Sequence, residues 1–137
     1  ELIIDILNRG KAFFDKKNTF ILSPHTKTDE VRDYLIRKGF KILKEDMCID
    51  EGKFYTVMEV RYTENTENTE NTVMYSEAEL LYGKYLIENK HPVLLRFLKK
   101  EEEKYLSILS NTGLNEDRKK ELRHRLDIIK ETMNEMQ

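Results

Sequence analysis

The chain has 137 residues, enough for one domain or two very small ones, and 36% of them are charged against a typical value of about 25%. Its net charge of -2 gives no overall basic field of the kind that indicates nucleic-acid binding, so any such site must be local. The single cysteine, Cys48, excludes a disulfide framework. No apolar run approaches the roughly 18 residues that span a bilayer, and no leader opens the chain. We therefore expect a cytoplasmic protein.

Residues 1–62 alternate between helical and strand periods. Apolar residues at helical spacing over residues 2–7 predict a short helix that ends at Gly10. The continuous apolar run Thr19–Leu22, which a Ser-Pro pair ends, predicts a strand that is buried on both faces. A second helix follows and ends at Gly39.

Two further strands begin at Phe40 and Phe54, and the turn Asp50-Glu51-Gly52 joins them as a hairpin. A strand, a helix and another strand in succession suggest a right-handed parallel crossover. The hairpin partner must then run antiparallel to its neighbours. We therefore predict that this region is the end of an open α/β sheet.

Residues 63–72 repeat Thr-Glu-Asn three times, end with Thr72 and contain no apolar side chain to bury. We interpret residues 63–75 as a low-complexity linker between two domains. Beyond it the pattern is helical. The first helix begins at a capping box of Ser76 and Glu79 and is broken at His91-Pro92.

Two longer helices follow, one from Pro92 to about Ser110 and one from near Asn115 to the C-terminus. Their apolar residues form a heptad seam, which consists of Leu94, Leu98, Tyr105, Ile108, Leu122, Leu126, Ile129, Met133 and Met136. The short connection makes the two helices antiparallel. Residues 76–137 are thus predicted to be a helical coiled-coil domain.

The sequence offers few groups for catalysis. Its five glycines are isolated, so no glycine-rich turn can hold a phosphate or a nucleoside cofactor, and its three histidines stand at no metal-ligand spacing. The most informative segment is Ser23-Pro24-His25, because it follows a strand at its carboxyl end, where open α/β sheets place ligand contacts. A simple strand terminator explains the same residues equally well.

Basic residues cluster toward the loop between the two long helices: Lys99, Lys100, Lys104, Arg118, Lys119, Lys120, Arg123 and Arg125. Such residues can contact phosphates without reading sequence. Acidic residues are interleaved with them, which favours a solvated helix flank for each residue taken singly. Lys53, Phe54 and Tyr55 could contact a phosphate and a base, but aromatic residues on a hairpin strand favour core packing.

The order of these segments resembles the second half of the bacterial tRNA (adenine-N1)-methyltransferases that act on position 22. The resemblance covers the whole chain apart from the Thr-Glu-Asn tract. Its first part consists of Leu-Ile-x-x-Ile-Leu, Phe-Ile-Leu-Ser-Pro-His, Val-Arg-x-Tyr-Leu, Gly39-Phe40-Lys41-Ile42, Glu45-Asp46 and Gly52-Lys53-Phe54-Tyr55. Its second part consists of Leu81-Tyr82-Gly83-Lys84 and Lys90-His91-Pro92. Of the family's Gln-Pro-Asn after the strand, only Pro24 is present here.

The resemblance implies an S-adenosylmethionine-dependent methyltransferase fold of the Rossmann-like α/β class. The chain would carry the last three strands of the sheet and a helical coiled-coil hairpin, while the cofactor-binding residues would precede Glu1. We therefore expect this chain alone to bind no S-adenosylmethionine and to be inactive. The implied substrate is tRNA, with Ser23, Pro24 and His25 near the target base and the eight basic residues as tRNA contacts.

In such a sheet, the strand Thr19–Leu22 would lose its neighbour from the missing half and become an edge. Because this strand carries no charge and no proline, we expect the chain to form a homodimer or a larger assembly through it. The alternative is a stand-alone interaction module, in which the helical hairpin recruits a partner protein and the α/β segment is a scaffold.

Overall fold

The computed structural model describes residues 2–9, 19–63, 74–111 and 113–137, without the side chain of Leu2. The predicted helix end at Gly10 and nearly all of the Thr-Glu-Asn tract lie outside these residues. The chain divides into two compact units, Glu1–Leu86 and Ile87–Gln137. Each unit is described by itself below.

The first unit contains a three-stranded sheet in the order β1-β3-β2. Its elements are α1 (Leu2–Arg9), β1 (Thr19–Leu22), α2 (Thr28–Arg37), β2 (Phe40–Asp50), β3 (Lys53–Tyr62) and α3 (Glu77–Tyr82). Strand β3 runs antiparallel to both neighbours, which confirms the predicted orientation of the hairpin partner. The hairpin turn places Glu51 at φ 50° and Gly52 at φ 78°, the left-handed pair that a two-residue turn requires.

One face of this sheet forms the core. Phe20 and Ile42 both pair with Val60, so these three side chains lie on the same face of the sheet. Helix α2 contributes Val31 and Leu35 to the core, and both are fully buried. Burial of aliphatic side chains of this kind is the main stabilising contribution in the unit.

Strand β1 differs from its prediction. Its residues alternate between exposed and half-buried, and Ile21 keeps 67% of its surface exposed. Ile21 pairs with Glu59, whose carboxylate lies 3.6 Å from Lys44 Nζ, so it shares the polar face of the sheet. The expected strand buried on both faces is wrong for this chain, because the face with Phe20 and Leu22 packs against the core while the face with Thr19 and Ile21 is exposed.

The single helix predicted from Ser76 to His91 is two helices. The capping box is confirmed, since Ser76 Oγ accepts from the Glu79 amide and Glu79 Oε1 accepts from the Ser76 amide. Helix α3 ends at Gly83, whose φ of 97° interrupts the helix before α4 (Lys84–Glu88). The structure groups α3 with the sheet, whereas the predicted boundary placed residues from 76 onward in the helical domain.

The second unit is built on two helices that pack against each other, α5 (Pro92–Leu109) and α6 (Glu116–Met136). His91 Nδ1 accepts from the Val93 amide and caps α5, and Asn115 caps α6. The predicted seam residues are all buried or half-buried. The coiled-coil geometry itself stays a prediction. None of the helices in the described ranges is long and apolar enough to cross a membrane.

Candidate functional site

The segment that follows β1 is held against β3. Ser23 Oγ donates a hydrogen bond to the carbonyl oxygen of Thr56 at 3.1 Å. Pro24 is buried, and Lys27 adopts a left-handed conformation with φ 50° immediately before α2. A buried proline, a bond to a strand and a helix start give this segment a defined path.

The same segment places His25 against an aromatic residue of β3. The ring centroids of His25 and Tyr55 lie 6.2 Å apart, and their planes are inclined by 79°. His25 is exposed and Tyr55 is half-buried, and the register partner of Tyr55 on β2 is the exposed Cys48. The structure therefore adds Tyr55 to the predicted tripeptide.

The strand pattern alone favours core packing for Tyr55, whereas the structure leaves it half-buried beside His25. In an antiparallel pair, the first residues of one strand lie beside the last residues of the other. Because β3 is antiparallel to β1, Tyr55 and Thr56 come to the carboxyl end of β1. The predicted antiparallel orientation is thus one of the two conditions for this placement, and the register of β1 with β3 is the other.

The arrangement suits binding better than covalent catalysis. The Ser23 hydroxyl donates to a main-chain carbonyl oxygen rather than to an imidazole, so it is not aligned as an activated nucleophile. Among the residues that the structure describes, no group of three or more His, Cys, Asp and Glu is placed to hold a metal ion. What the site offers is an exposed ring in a fixed position.

A buried ion pair and the main chain around it lie between α2, β2 and α3, and we call this group the Arg32 cluster: Arg32, Glu45, Leu80 and Gly83. Arg32 donates from Nε at 3.0 Å and from Nη2 at 2.7 Å to Glu45 Oε1, and from Nη1 at 2.7 Å to the Leu80 carbonyl oxygen. The Arg32 and Glu45 side chains are 1% and 0% exposed. This buried pair fixes α3 against the sheet unit.

Gly83 has no side chain, and this leaves room for the side chains of Glu45 and Arg32. A Cβ atom at this position would lie 2.9 Å from Glu45 Oε2 and 3.0 Å from Arg32 Nη2. Glu45 Oε2 is buried and has no hydrogen-bond partner among the described residues. Tyr75 lies close by, where its own burial, followed by the Tyr85 hydroxyl and the Glu45 carboxylate, raises its pKa well above the usual range.

The predicted tRNA-binding residues lie in the second unit and are mostly exposed. Arg118 pairs with Glu121 at 3.2 Å, and Lys119 pairs with Glu116 at 3.5 Å. At about 100° per residue, Arg118 and Lys120 point to opposite sides of α6. The structure thus does not collect all eight side chains on one helix face, and their contact with tRNA stays a prediction.

Comparison with known proteins assigns the family. The family model TrmK, described as tRNA (adenine(22)-N(1))-methyltransferase, matches residues 1–134. The chain belongs to the TrmK family. A curated relative, the tRNA (adenine(22)-N(1))-methyltransferase of Bacillus subtilis strain 168, is 25% identical over 97% of this chain and 58% of its own length.

Solved structures similar to this TrmK-family chain have the Rossmann-like methyltransferase fold. A Streptococcus pneumoniae protein named as a candidate tRNA (m1A22) methyltransferase matches with a TM-score of 0.85 and 26% identity, over 96% of this chain and 56% of that chain. The same protein in complex with S-adenosyl-L-methionine gives a TM-score of 0.80, with 26% identity, over 96% of this chain and 55% of that chain. The B. subtilis m1A22 tRNA methyltransferase TrmK gives 0.76, with 25% identity, over 96% of this chain and 58% of that chain.

The family and the fold class predicted from the sequence are confirmed, and the chain corresponds to a carboxyl-terminal part of a TrmK protein. It spans 55% to 58% of the length of the relatives named above. This share leaves room for a second half of the α/β domain in the complete protein.

One of these neighbours is in complex with S-adenosyl-L-methionine, and the glycines of the described residues can be compared with what a nucleoside cofactor requires. Gly39 and Gly52 lie in single turns, and the space beside Gly83 holds the Glu45 and Arg32 side chains. None of these glycines is part of a glycine-rich turn that could bring amides against a nucleoside cofactor. We therefore derive no methyl-transfer step from the residues of this chain.

Proposed function

We propose that this TrmK-family chain is part of an enzyme that transfers a methyl group from S-adenosylmethionine to N1 of an adenine in tRNA, and that the chain is inactive by itself. The observation that carries the proposal is the family match over residues 1–134. The likeness to a cofactor-bound methyltransferase structure over 96% of the chain supports it. The reaction would take place in the cytoplasm.

In the complete enzyme, the chain would supply substrate contacts rather than the cofactor site. Ser23, Pro24 and His25 lie at the carboxyl end of β1, where an open α/β sheet places its ligands. The exposed basic residues of α5 and α6 would hold the tRNA backbone. If another part of the complete enzyme binds the cofactor, this chain needs no glycine loop.

Calorimetric titration tests the absence of cofactor binding. The 137-residue chain should give no heat of binding with S-adenosylmethionine, while the complete protein should bind it and methylate tRNA. Micromolar affinity of the chain alone would show that the cofactor site lies within it. A complete protein that binds the cofactor but methylates no tRNA would overturn the assigned reaction.

Charge reversal tests the role of the second unit. Changing Lys119, Lys120 and Arg123 to Glu in the complete protein should weaken tRNA binding and flatten its dependence on salt, because fewer counterions are released. A matched control reverses Arg37, Lys41 and Lys44, three exposed basic residues of the sheet unit. Equal affinity of both variants and wild type at low salt would show that the helices are structural.

We also propose that the isolated chain associates through the β1 edge. Ile21 is 67% exposed on a strand that has β3 as its partner on one side. A second copy of the chain can pair with an apolar edge strand of this kind.

A further inference from the structure

We propose that His25 provides a stacking surface for an unpaired nucleobase of the RNA, at or next to the methylated adenine, and that Tyr55 positions the His25 ring. The inference rests on the proposed function, since it needs an RNA substrate. Neither residue matches the family's Gln-Pro-Asn segment, of which only Pro24 is present here.

The first step is the orientation of the two rings. With planes inclined by 79°, one ring directs its edge at the face of the other. If His25 contributes the edge, Tyr55 covers neither of its faces, and if His25 contributes the face, Tyr55 covers only one. In both cases at least one face of the His25 ring is left uncovered by Tyr55, and the residue is exposed. An open ring face of this kind is what a nucleobase stacks on.

The second step is rigidity. Residues on either side fix the position of His25, since the Ser23 hydroxyl bonds to Thr56 at 3.1 Å and Pro24 is buried. The aromatic contact with Tyr55 then limits the rotation of the imidazole. A ring that is ordered before binding loses little conformational entropy when a base stacks on it.

The third step is location and charge. The carboxyl end of β1 is the edge at which open α/β sheets bind ligands, and Tyr55 reaches it because β3 is antiparallel. Lys27 and Lys53 are both exposed. Lys27 follows His25 closely in the chain, and Lys53 closely precedes Tyr55. Their ammonium groups suit the phosphates that flank a stacked base.

The test is a double-mutant cycle between protein and RNA, with the complete protein. The RNA probes are the substrate tRNA and three versions that carry an abasic site, either at the methylated adenine or at one of its two neighbours. The protein variants are His25→Leu, which removes the ring, and His25→Phe, which keeps a flat ring. Cys48→Ser is the control, because it alters the exposed register partner of Tyr55 by a single atom and removes no aromatic ring.

We expect His25→Leu to weaken binding of intact tRNA by about 5- to 150-fold, the range for one lost base–aromatic stack. His25→Phe and Cys48→Ser should bind as the wild type does. The loss caused by His25→Leu should disappear with one of the three abasic RNAs, because the stacking partner is then already missing. A structural role of His25 would instead give the same loss with every RNA.

Tyr55→Leu tests the positioning role. It should weaken the binding of intact tRNA less than His25→Leu does. In the His25→Leu background it should have no further effect on binding. Unchanged binding by His25→Leu, or an equal loss with all four RNAs, would overturn the inference. A wild-type protein that methylates no tRNA would instead overturn the proposed function, so the two failures are distinguishable.

Discussion

Arg32 and Ile21 lie in the same compact unit, yet the charged residue is 1% exposed and the apolar residue is 67% exposed. Arg32 is covered because α3 returns to the sheet and places the Leu80 carbonyl oxygen on its guanidinium. Ile21 is exposed because its side chain lies on the polar face of the sheet with Glu59, opposite to the core face that carries Phe20 and Leu22. The comparison shows that long-range packing, and not polarity, decides burial at these two positions.

The largest expected effect comes from removing the charge in the Arg32 cluster. Arg32→Met leaves the Glu45 carboxylate buried without its partner, so we expect a loss of about 3 to 5 kcal/mol in the free energy of unfolding. Urea unfolding of the whole chain measures it. The double variant Arg32→Met with Glu45→Met should recover most of the loss, because no charge is then left buried. A single variant that loses less than about 1 kcal/mol would show that water reaches the pair.

The next effect tests the space at Gly83. Gly83→Ala combines a φ of 97° with a Cβ that would meet Glu45 Oε2 at 2.9 Å, so we expect a loss of about 2 to 4 kcal/mol. Gly52→Ala is the matched control, since its φ is 78° but nothing lies within 4 Å. It should lose only about 1 to 2 kcal/mol from backbone strain. Equal losses would mean that the cluster tolerates a methyl group.

A smaller effect appears at high pH. The folded protein holds the Tyr75 proton more tightly than the unfolded chain, where a tyrosine has a pKa of about 10, so stability is full below pH 10 and falls above it. By this linkage the loss grows as the pH rises further above 10. Tyr75→Phe should lose less stability than wild type between pH 10 and pH 11 in chemical unfolding. Identical slopes would place Tyr75 in contact with solvent.

The smallest effect on stability is expected at Ile21, the exposed residue of the two compared above. Ile21→Lys changes an exposed residue, so the free energy of unfolding should move by less than about 0.5 kcal/mol. Self-association should nevertheless fall, because a lysine on an edge strand opposes pairing with a second copy. Sedimentation at micromolar concentration compares the two chains. Wild type that sediments as a folded monomer would refute association through β1.

Local signals in the sequence predicted the parts of the fold that local chemistry decides. The capping box of Ser76 and Glu79 and the turn at Gly52 are correct because each depends on neighbours within a few residues. The lack of space for a side chain at Gly83 and the buried ion pair of Arg32 both involve Glu45, which is distant in the chain. The spacing of apolar residues along a helix or a strand does not reveal the contact between Arg32 and Glu45.

The candidate site divides in the same way. His25 could be predicted, because a turn after a strand in an α/β pattern is a usual place for ligand contacts. The contact between His25 and Tyr55 required the register of β1 with β3, which side-chain periodicity alone does not fix.

The anchoring of both ends of the Thr-Glu-Asn tract has a consequence for the gene. The amide and hydroxyl of Thr63 donate to the Gly39 carbonyl oxygen at 2.7 and 2.8 Å, and beyond the tract the Leu80 carbonyl oxygen accepts from Arg32 at 2.7 Å. These bonds hold Thr63 against Gly39 and α3 against α2. Each repeat consists of whole codons, so replication slippage can add or remove one without a frameshift. We expect natural alleles to differ in repeat number while the encoded fold stays the same.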